Sequence, residues 1–177
     1  GIHGTKIQNY TSDPANPLTG QVWYNETTNG LKYEYQSTIS AWSTGGNLNT
    51  ARRILAGAGT QTAALGFGGY VGPYSALTES YNGTAWTEVN DLGTARFGLG
   101  GAGTNTAALG FGGYNGSRLA LTEKWNGTNW TEVGDLNTAR QDVGGAGATN
   151  TAALAFGGEV PPSTGATELY NGTNWTE

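Results

Sequence analysis

The stretch Ala63 to Arg96, AALGFGGYVGPYSALTESYNGTAWTEVNDLGTAR, returns as Ala107 to Arg140 and again, cut short, as Ala152 to Glu177. Trp42, Trp86, Trp130 and Trp175 mark the period, at intervals of 44, 44 and 45 residues by difference of their numbers, the extra residue being Ala148. A self-similar unit of about 40–50 residues restricts the chain to repeat architectures, because one unit cannot bury its apolar face alone and must stack on the next. Residues that recur unchanged are therefore expected to be structural. Function is to be sought where the copies differ.

Four strand-like pieces are expected in each unit. The first is Ile54 to Gly59, with Leu99 to Gly103 and Val143 to Gly147 as counterparts. Strands of such small residues suit a place where backbones approach closely. After a polar turn, Ala63 to Tyr70 is apolar throughout, as in a strand buried on both faces, and Gly68-Gly69 argues for strand over helix. The third piece, Ala76 to Tyr81, alternates Leu77, Glu79 and Tyr81 with Thr78 and Ser80. Asn82-Gly83, repeated as Asn126-Gly127 and Asn171-Gly172, reads as a two-residue hairpin turn leading into the fourth piece, Trp86 to Val89. The same Asn-Gly-Thr triplets would be glycosylation acceptors in a secretory setting, but the turn accounts for them more simply. No stretch holds a helical period. The expected fold class is all-β, and four antiparallel strands per unit is the arithmetic of a propeller blade.

Residues 1–46 differ from the rest and are expected to form a leader: an extended or irregular lead-in to residue 20, then a β-hairpin of QVWYN and LKYEY around Asn29-Gly30. A third short run, Ala41 to Thr44, brings Trp42 into phase with the repeats. GGNLNTAR, ending at Arg52, matches DLGTAR and DLNTAR ending at Arg96 and Arg140. Residues 47–177 are then the repeat region, with blades at about 53–89, 97–133 and 141–177.

A Gly-Gly pair closing an apolar strand, followed by a Tyr and then a Trp, resembles the kelch repeat. Its carriers are Gly68, Gly69, Tyr81 and Trp86; Gly112, Gly113, Trp125 (in place of Tyr) and Trp130; and Gly157, Gly158, Tyr170 and Trp175. The resemblance implies a kelch-like β-propeller. More narrowly, the leader SDPANPLTGQVWYNETTNGLKY joined to GGNLNTAR and YNGTxWTEV repeats resembles structural proteins of tailed bacteriophages. That resemblance implies a tail-fibre or virion-surface component, located on the virion or outside the cell. Propellers carry about four to eight blades, so three blades and a hairpin leave a ring to be closed by oligomerisation or by missing sequence. The start at Gly1 without Met is what a processed chain or a piece of a longer one would show.

Composition removes several classes of function. The net charge of −5 argues against a nucleic-acid binder, which needs a basic face. The longest apolar runs, such as 63–67, are too short to span a membrane, and nothing resembles a signal peptide. With no Cys and a single histidine, His3, no metal site and no cofactor are expected. That excludes the copper-radical oxidase chemistry of some kelch propellers. Aromatics at 11 % recur in register with the glycines and supply an ordered core.

Two sets of residues stand out. Glu79, Glu123 and Glu168 recur in phase, as do Arg52, Arg96 and Arg140. Paired carboxylates could serve a glycosidase, but one per repeat in identical context is what a structural Glu–Arg ion pair predicts, and no catalytic residue is expected. The second set lies in the connections between second and third strands, YVGPYSA (70–76), YNGSRLA (114–120) and EVPPSTGA (159–166), which differ among near-copies. Loops on a rigid scaffold are where recognition sits. Tyr70, Tyr74, Tyr114, Asn115 and Arg118 are the candidate ligand-binding residues. The expected function is a non-catalytic virion structural or adhesion protein, whose partners are further copies of itself, other virion proteins or a host-surface glycan. The alternatives are a secreted carbohydrate-binding lectin and a glycan-active enzyme.

Overall fold

The computed structural model describes residues 7–16, 20–34 and 43–177 and divides into two compact units, Gly1–Ser43 and Thr44–Glu177. His3, Trp42 and the start of the run at Ala41 lie outside the described residues. The unit boundary falls a little before residue 46 because Gly45 and Gly46 already lie against Tyr81 and Thr84 of the first blade.

In the first unit, β1 (Gln8–Tyr10), β2 (Val22–Asn25) and β3 (Gly30–Tyr33) form one small sheet. The hairpin β2–β3 turns through Glu26–Asn29, with Asn29 in the left-handed region (φ 49°) and Gly30 already in the strand. The lead-in is not wholly irregular. Gln8–Tyr10 pairs in parallel with Trp23–Asn25, a non-local pairing without a local sequence signal. Asp13 ties the unit together: Oδ1 accepts from Trp23 Nε1 (3.0 Å) and Asn25 Nδ2 (2.7 Å), and these bonds hold its carboxyl below the usual aspartate value.

The second unit is all-β, built of three four-stranded antiparallel sheets in which each strand pairs with the next along the chain. The first blade is β4 (Ala56–Thr60), β5 (Ala63–Phe67), β6 (Thr78–Tyr81) and β7 (Trp86–Val89). The second is β8 (Gly100–Thr104), β9 (Ala107–Phe111), β10 (Thr122–Trp125) and β11 (Trp130–Val133). The third is β12 (Gly144–Thr149), β13 (Ala152–Phe156), β14 (Thr167–Tyr170) and β15 (Trp175–Thr176). The first strand of each blade starts later than the apolar run suggests. Ile54, Gly98 and Asp142, one per repeat, all take left-handed φ (56°, 63° and 53°) and end the link before the strand can begin. The extra residue Ala148 is absorbed where the β12–β13 register shifts between Ala146 and Thr149, so the bulge leaves the rest of the blade in phase.

The Asn-Gly turns are four-residue rather than two-residue loops. Tyr81 pairs with Trp86, which leaves Asn82–Ala85 to make the turn. The asparagine does so through its side chain: Asn82 Oδ1 accepts from the N–H groups of Thr84 and Ala85, both at 3.0 Å, while Gly83 alone takes positive φ. Asn126 and Asn171 repeat the arrangement.

The core lies in two layers between blades. Phe67 leaves the first blade to pack on Trp130 of the second (ring centroids 4.8 Å), and Phe111 leaves the second to pack on Trp175 of the third (4.9 Å). Both phenylalanines are fully buried, which stabilises each layer by about 1.5–3 kcal/mol per ring. One polar bond fixes each layer laterally: Trp130 Nε1 donates to Thr78 Oγ1 (3.1 Å), and Trp175 Nε1 to Thr122 Oγ1 (3.0 Å). Leu92, Leu99, Leu136 and Val143 from the links close the layers from the side. Four buried side-chain polar atoms among the described residues are unmatched, the Nε of Arg52, Arg96 and Arg140 and the hydroxyl of Tyr170. The Tyr170 hydroxyl is buried with no hydrogen-bond partner, and burial raises its pKa. Tyr170→Phe is therefore expected to leave the thermal midpoint unchanged or raise it, by up to about 1 kcal/mol in stability; a clear loss in a melting experiment would contradict this.

Candidate functional site

The recurring Arg and Glu residues meet in pairs: Arg52 with Glu79, Arg96 with Glu123 and Arg140 with Glu168 (2.9 Å). All six side chains are at most 4 % exposed. Each arginine comes from the link that enters a blade and each glutamate from that blade's third strand. The second carboxylate oxygen is also taken: Glu79, Glu123 and Glu168 Oε2 each accept from the N–H of Asn49, Gly93 and Asn137 (2.7 Å). The guanidinium also reaches backbone carbonyls at the strand ends, such as Gly157 (3.3 Å) and Ala166 (3.0 Å) from Arg140. These carboxylates pin the link to the sheet and face no open space in which a substrate could sit.

Burial on its own would raise the Glu79 carboxyl. Bonds from the Asn49 N–H, the Arg52 guanidinium and the Thr50 N–H outweigh it, leaving the group below the ordinary value of 4.5. Burial pushes the Arg96 guanidinium down, partly offset by Glu123. A carboxyl with a depressed folded pKa contributes stability that is present above its unfolded value and lost as pH falls through the folded one. The denaturation midpoint is thus expected to fall as pH drops below about 4.5, and Glu79→Gln should start lower and lack that part of the slope. A wild-type and variant pair with parallel acid limbs in urea titrations would refute this.

The connections between second and third strands and the links between blades come out on one face, locked by backbone bonds such as Gly69 N–H to Arg96 O (2.9 Å) and Arg96 N–H to Ser75 O (3.1 Å). On that face three residues per repeat are bridged in a row: Arg53, Tyr70 and Tyr74; Phe97, Tyr114 and Arg118; Gln141, Glu159 and Ser163. The first two rows make an aromatic cluster. Tyr74 stacks on Phe97 (5.8 Å, 30°) and meets Tyr114 edge-on (6.1 Å), Tyr70 meets Phe97 edge-on (5.8 Å), and the Arg53 guanidinium sits 5.2 Å from the Tyr70 ring centroid. Tyr74 remains 37 % exposed, so the cluster presents ring surface outward.

Of the loop residues singled out from the sequence, Tyr70, Tyr74 and Tyr114 come together. Asn115 sits at the exposed tip of its loop, its N–H given to Ser117 O (3.2 Å). Arg118 turns to the next blade, where Nε donates to Glu159 O (3.1 Å) and its guanidinium pairs with Glu159 Oε1 (2.8 Å), a partly exposed contact worth about 0–1 kcal/mol. Phe97 and Arg53 were missed. Their signal is in the sequence: the position after each Thr-Ala-Arg holds Arg53, Phe97 and Gln141, a varied column in otherwise matching links.

These features define a run of kelch-like β-propeller blades with one face made of the residues that vary between repeats. No family model and no curated protein sequence matches the chain. Among solved structures the fold is similar to that of YjhT, a kelch-repeat β-propeller protein, with a TM-score of 0.60 and 14 % identity over 88 % of this chain. The chain spans half (50 %) of that protein's length.

Proposed function

We propose that the chain is a non-catalytic structural and adhesion component of a tailed-bacteriophage particle, using the loop face of its blades to hold a host-surface glycan. The observation that carries the reading is the aromatic cluster of Tyr70, Tyr74, Phe97 and Tyr114 with Arg53 beside it. Exposed tyrosine rings offer flat apolar surface with a hydroxyl at the edge, which suits the faces and hydroxyls of a sugar. The cluster is built where the repeats differ, on a scaffold where they agree. The virion assignment rests on the resemblance of the leader and repeats to phage structural proteins, and the non-catalytic assignment on the three recurring carboxylates being committed to arginines.

An array of bacterial surface glycans probed with the chain tests it. Binding is expected, with Tyr74→Ala weakening it by about tenfold or more, as for truncation of an aromatic anchor. No binding to any glycan, or binding that Tyr74→Ala and Phe97→Ala leave unchanged, would overturn the reading.

A further inference from the structure

The layer between blades is built twice, and each copy of it uses two different surfaces. The leading blade offers a phenylalanine, a threonine hydroxyl and the carbonyl of its inner strand. The following blade offers a tryptophan and a glycine whose α-carbon faces that carbonyl. At Gly101 a Cβ would sit 2.5 Å from Gly57 O and 3.1 Å from the Phe67 ring, and at Gly145 it would collide likewise with Gly101 O and the Phe111 ring.

The third blade still carries the leading surface, with nothing on it. Phe156, the counterpart of Phe67 and Phe111, is 43 % exposed where they are 0 %. Leu154 and Leu169 are exposed beside it around an open apolar hollow of about 360 Å³, and Thr167 is exposed where Thr78 and Thr122 are fully buried. The first blade carries the following surface, with Trp86 partly exposed. An open hollow of about 390 Å³ is lined by Gly57, Gly66 and Trp86, and the Trp86 indole N–H has no hydrogen-bond partner among the described residues. At Gly57 a Cβ would meet nothing closer than Leu65 O at 3.5 Å, so the space that a leading blade fills at Gly101 and Gly145 is open there.

The backbone is left incomplete in the same complementary way. Between blades, Gly98 N–H donates to Ile54 O (3.1 Å) and Asp142 N–H to Gly98 O (2.6 Å), which leaves Ile54 N–H at one end of the series and Asp142 O at the other. Gly69 and Gly113 donate to the carbonyls of Arg96 and Arg140, while Gly158 on the third blade and the Arg52 carbonyl before the first have no such partner among the described residues. Every group that one end lacks, the other end holds.

We infer that a second copy of this chain docks head to tail, the third blade of each copy seating on the first blade of the other, so that two copies close one ring of six blades. Phe156 of one copy then lies over Gly57 and Trp86 of the other, Trp86 Nε1 donates to Thr167 Oγ1, and Gly158 N–H donates to Arg52 O. The occupant is specified by an interface the molecule already makes twice. Closure follows from symmetry: a head-to-tail contact either closes a ring or runs on as a filament, and a two-fold ring of two copies leaves no surface of this kind bare. Propellers carry about four to eight blades, and six is the only multiple of three in that range. On the loop face the same docking sets Ser163 of one copy beside Arg53 and Tyr70 of the other. This pairing does not depend on what the loops bind.

Sedimentation equilibrium of the full chain tests the inference, read against its mass of 18.3 kDa. The expected result is a dimer. Gly57→Val, whose side chain has room in a single copy but would meet the incoming carbonyl, should weaken association by about 30-fold or more. Thr167→Glu, at an exposed position, should do the same by setting an unpaired charge in the interface, and circular dichroism should show both variants folded. If Gly57→Val fails to fold, Thr167→Glu decides alone. A monomeric wild type would overturn the two-copy ring, as would a trimer or a filament, or a dimer that neither variant weakens.

Discussion

Arg140→Ala is expected to lower stability to denaturant by about 3–5 kcal/mol, the cost of stripping one partner from a buried pair. The reason is what stays behind. Glu168 remains 1 % exposed, with Oε2 still holding the Asn137 N–H and Nδ2 but with Oε1 facing no cation. The carbonyl of Gly157 loses its arginine donor at the same time, and that of Ala166 keeps only the Gly157 N–H (3.0 Å). Replacing both charged groups by apolar residues of similar size, Arg140→Met with Glu168→Leu, should recover most of that loss, because taking two charges out of water offsets much of what their attraction returns. That outcome would mark the pair as a device of register more than of stability. Equilibrium unfolding of the single and double variants checks this, and a double variant no better than Arg140→Ala would count against it.

Phe67→Ala is the second large effect, about 3–5 kcal/mol for removing a fully buried ring. The ring lies on Trp130 and within 2.8 Å of where a Cβ would be on Gly110, so the opposite wall offers no side chain that could lean into the cavity. The same loss should loosen the Trp130–Thr78 bond, which depends on the indole being held in place. Tryptophan fluorescence should then shift towards the emission of a solvated indole in the folded variant, before any unfolding transition.

Much of this was legible in the sequence, and the limits have physical causes. The 44-residue period gave the blades, because a repeat records a stacking unit directly. Trp86 to Val89 could be read to the residue because the turn before it and the polar link after it both punctuate. The inner strands started later than their apolar composition implied. Ile54 and Asp142 take a left-handed conformation that only Gly98, at the equivalent place, announces. Gln8–Tyr10 could not be read at all, since a three-residue strand pairing in parallel across a gap has no local period. At the site, the tyrosines stood out as differences within aligned loops. Phe97 escaped notice because it lies in the link, at a column beside an invariant arginine, and only the bridging of link to loop brings the two columns together.

The sameness of the blades also bears on how the chain reaches this structure. β5 and β9 are both AALGF, and β7 and β11 are both WTEV, so neither strand's own chemistry says which sheet it should join. What decides is connection length. A strand pairing within its own blade closes a loop of two to ten residues, whereas joining the wrong blade closes one longer by a whole repeat, at an extra cost of about 2 kcal/mol in chain entropy. That margin is modest, and misassembly between like modules is a known failure of repeat proteins. Closure of each hairpin before the blades meet is the expected way to sort the strands, which gives the four-residue asparagine turns a part in folding as well as in the shape of the blade.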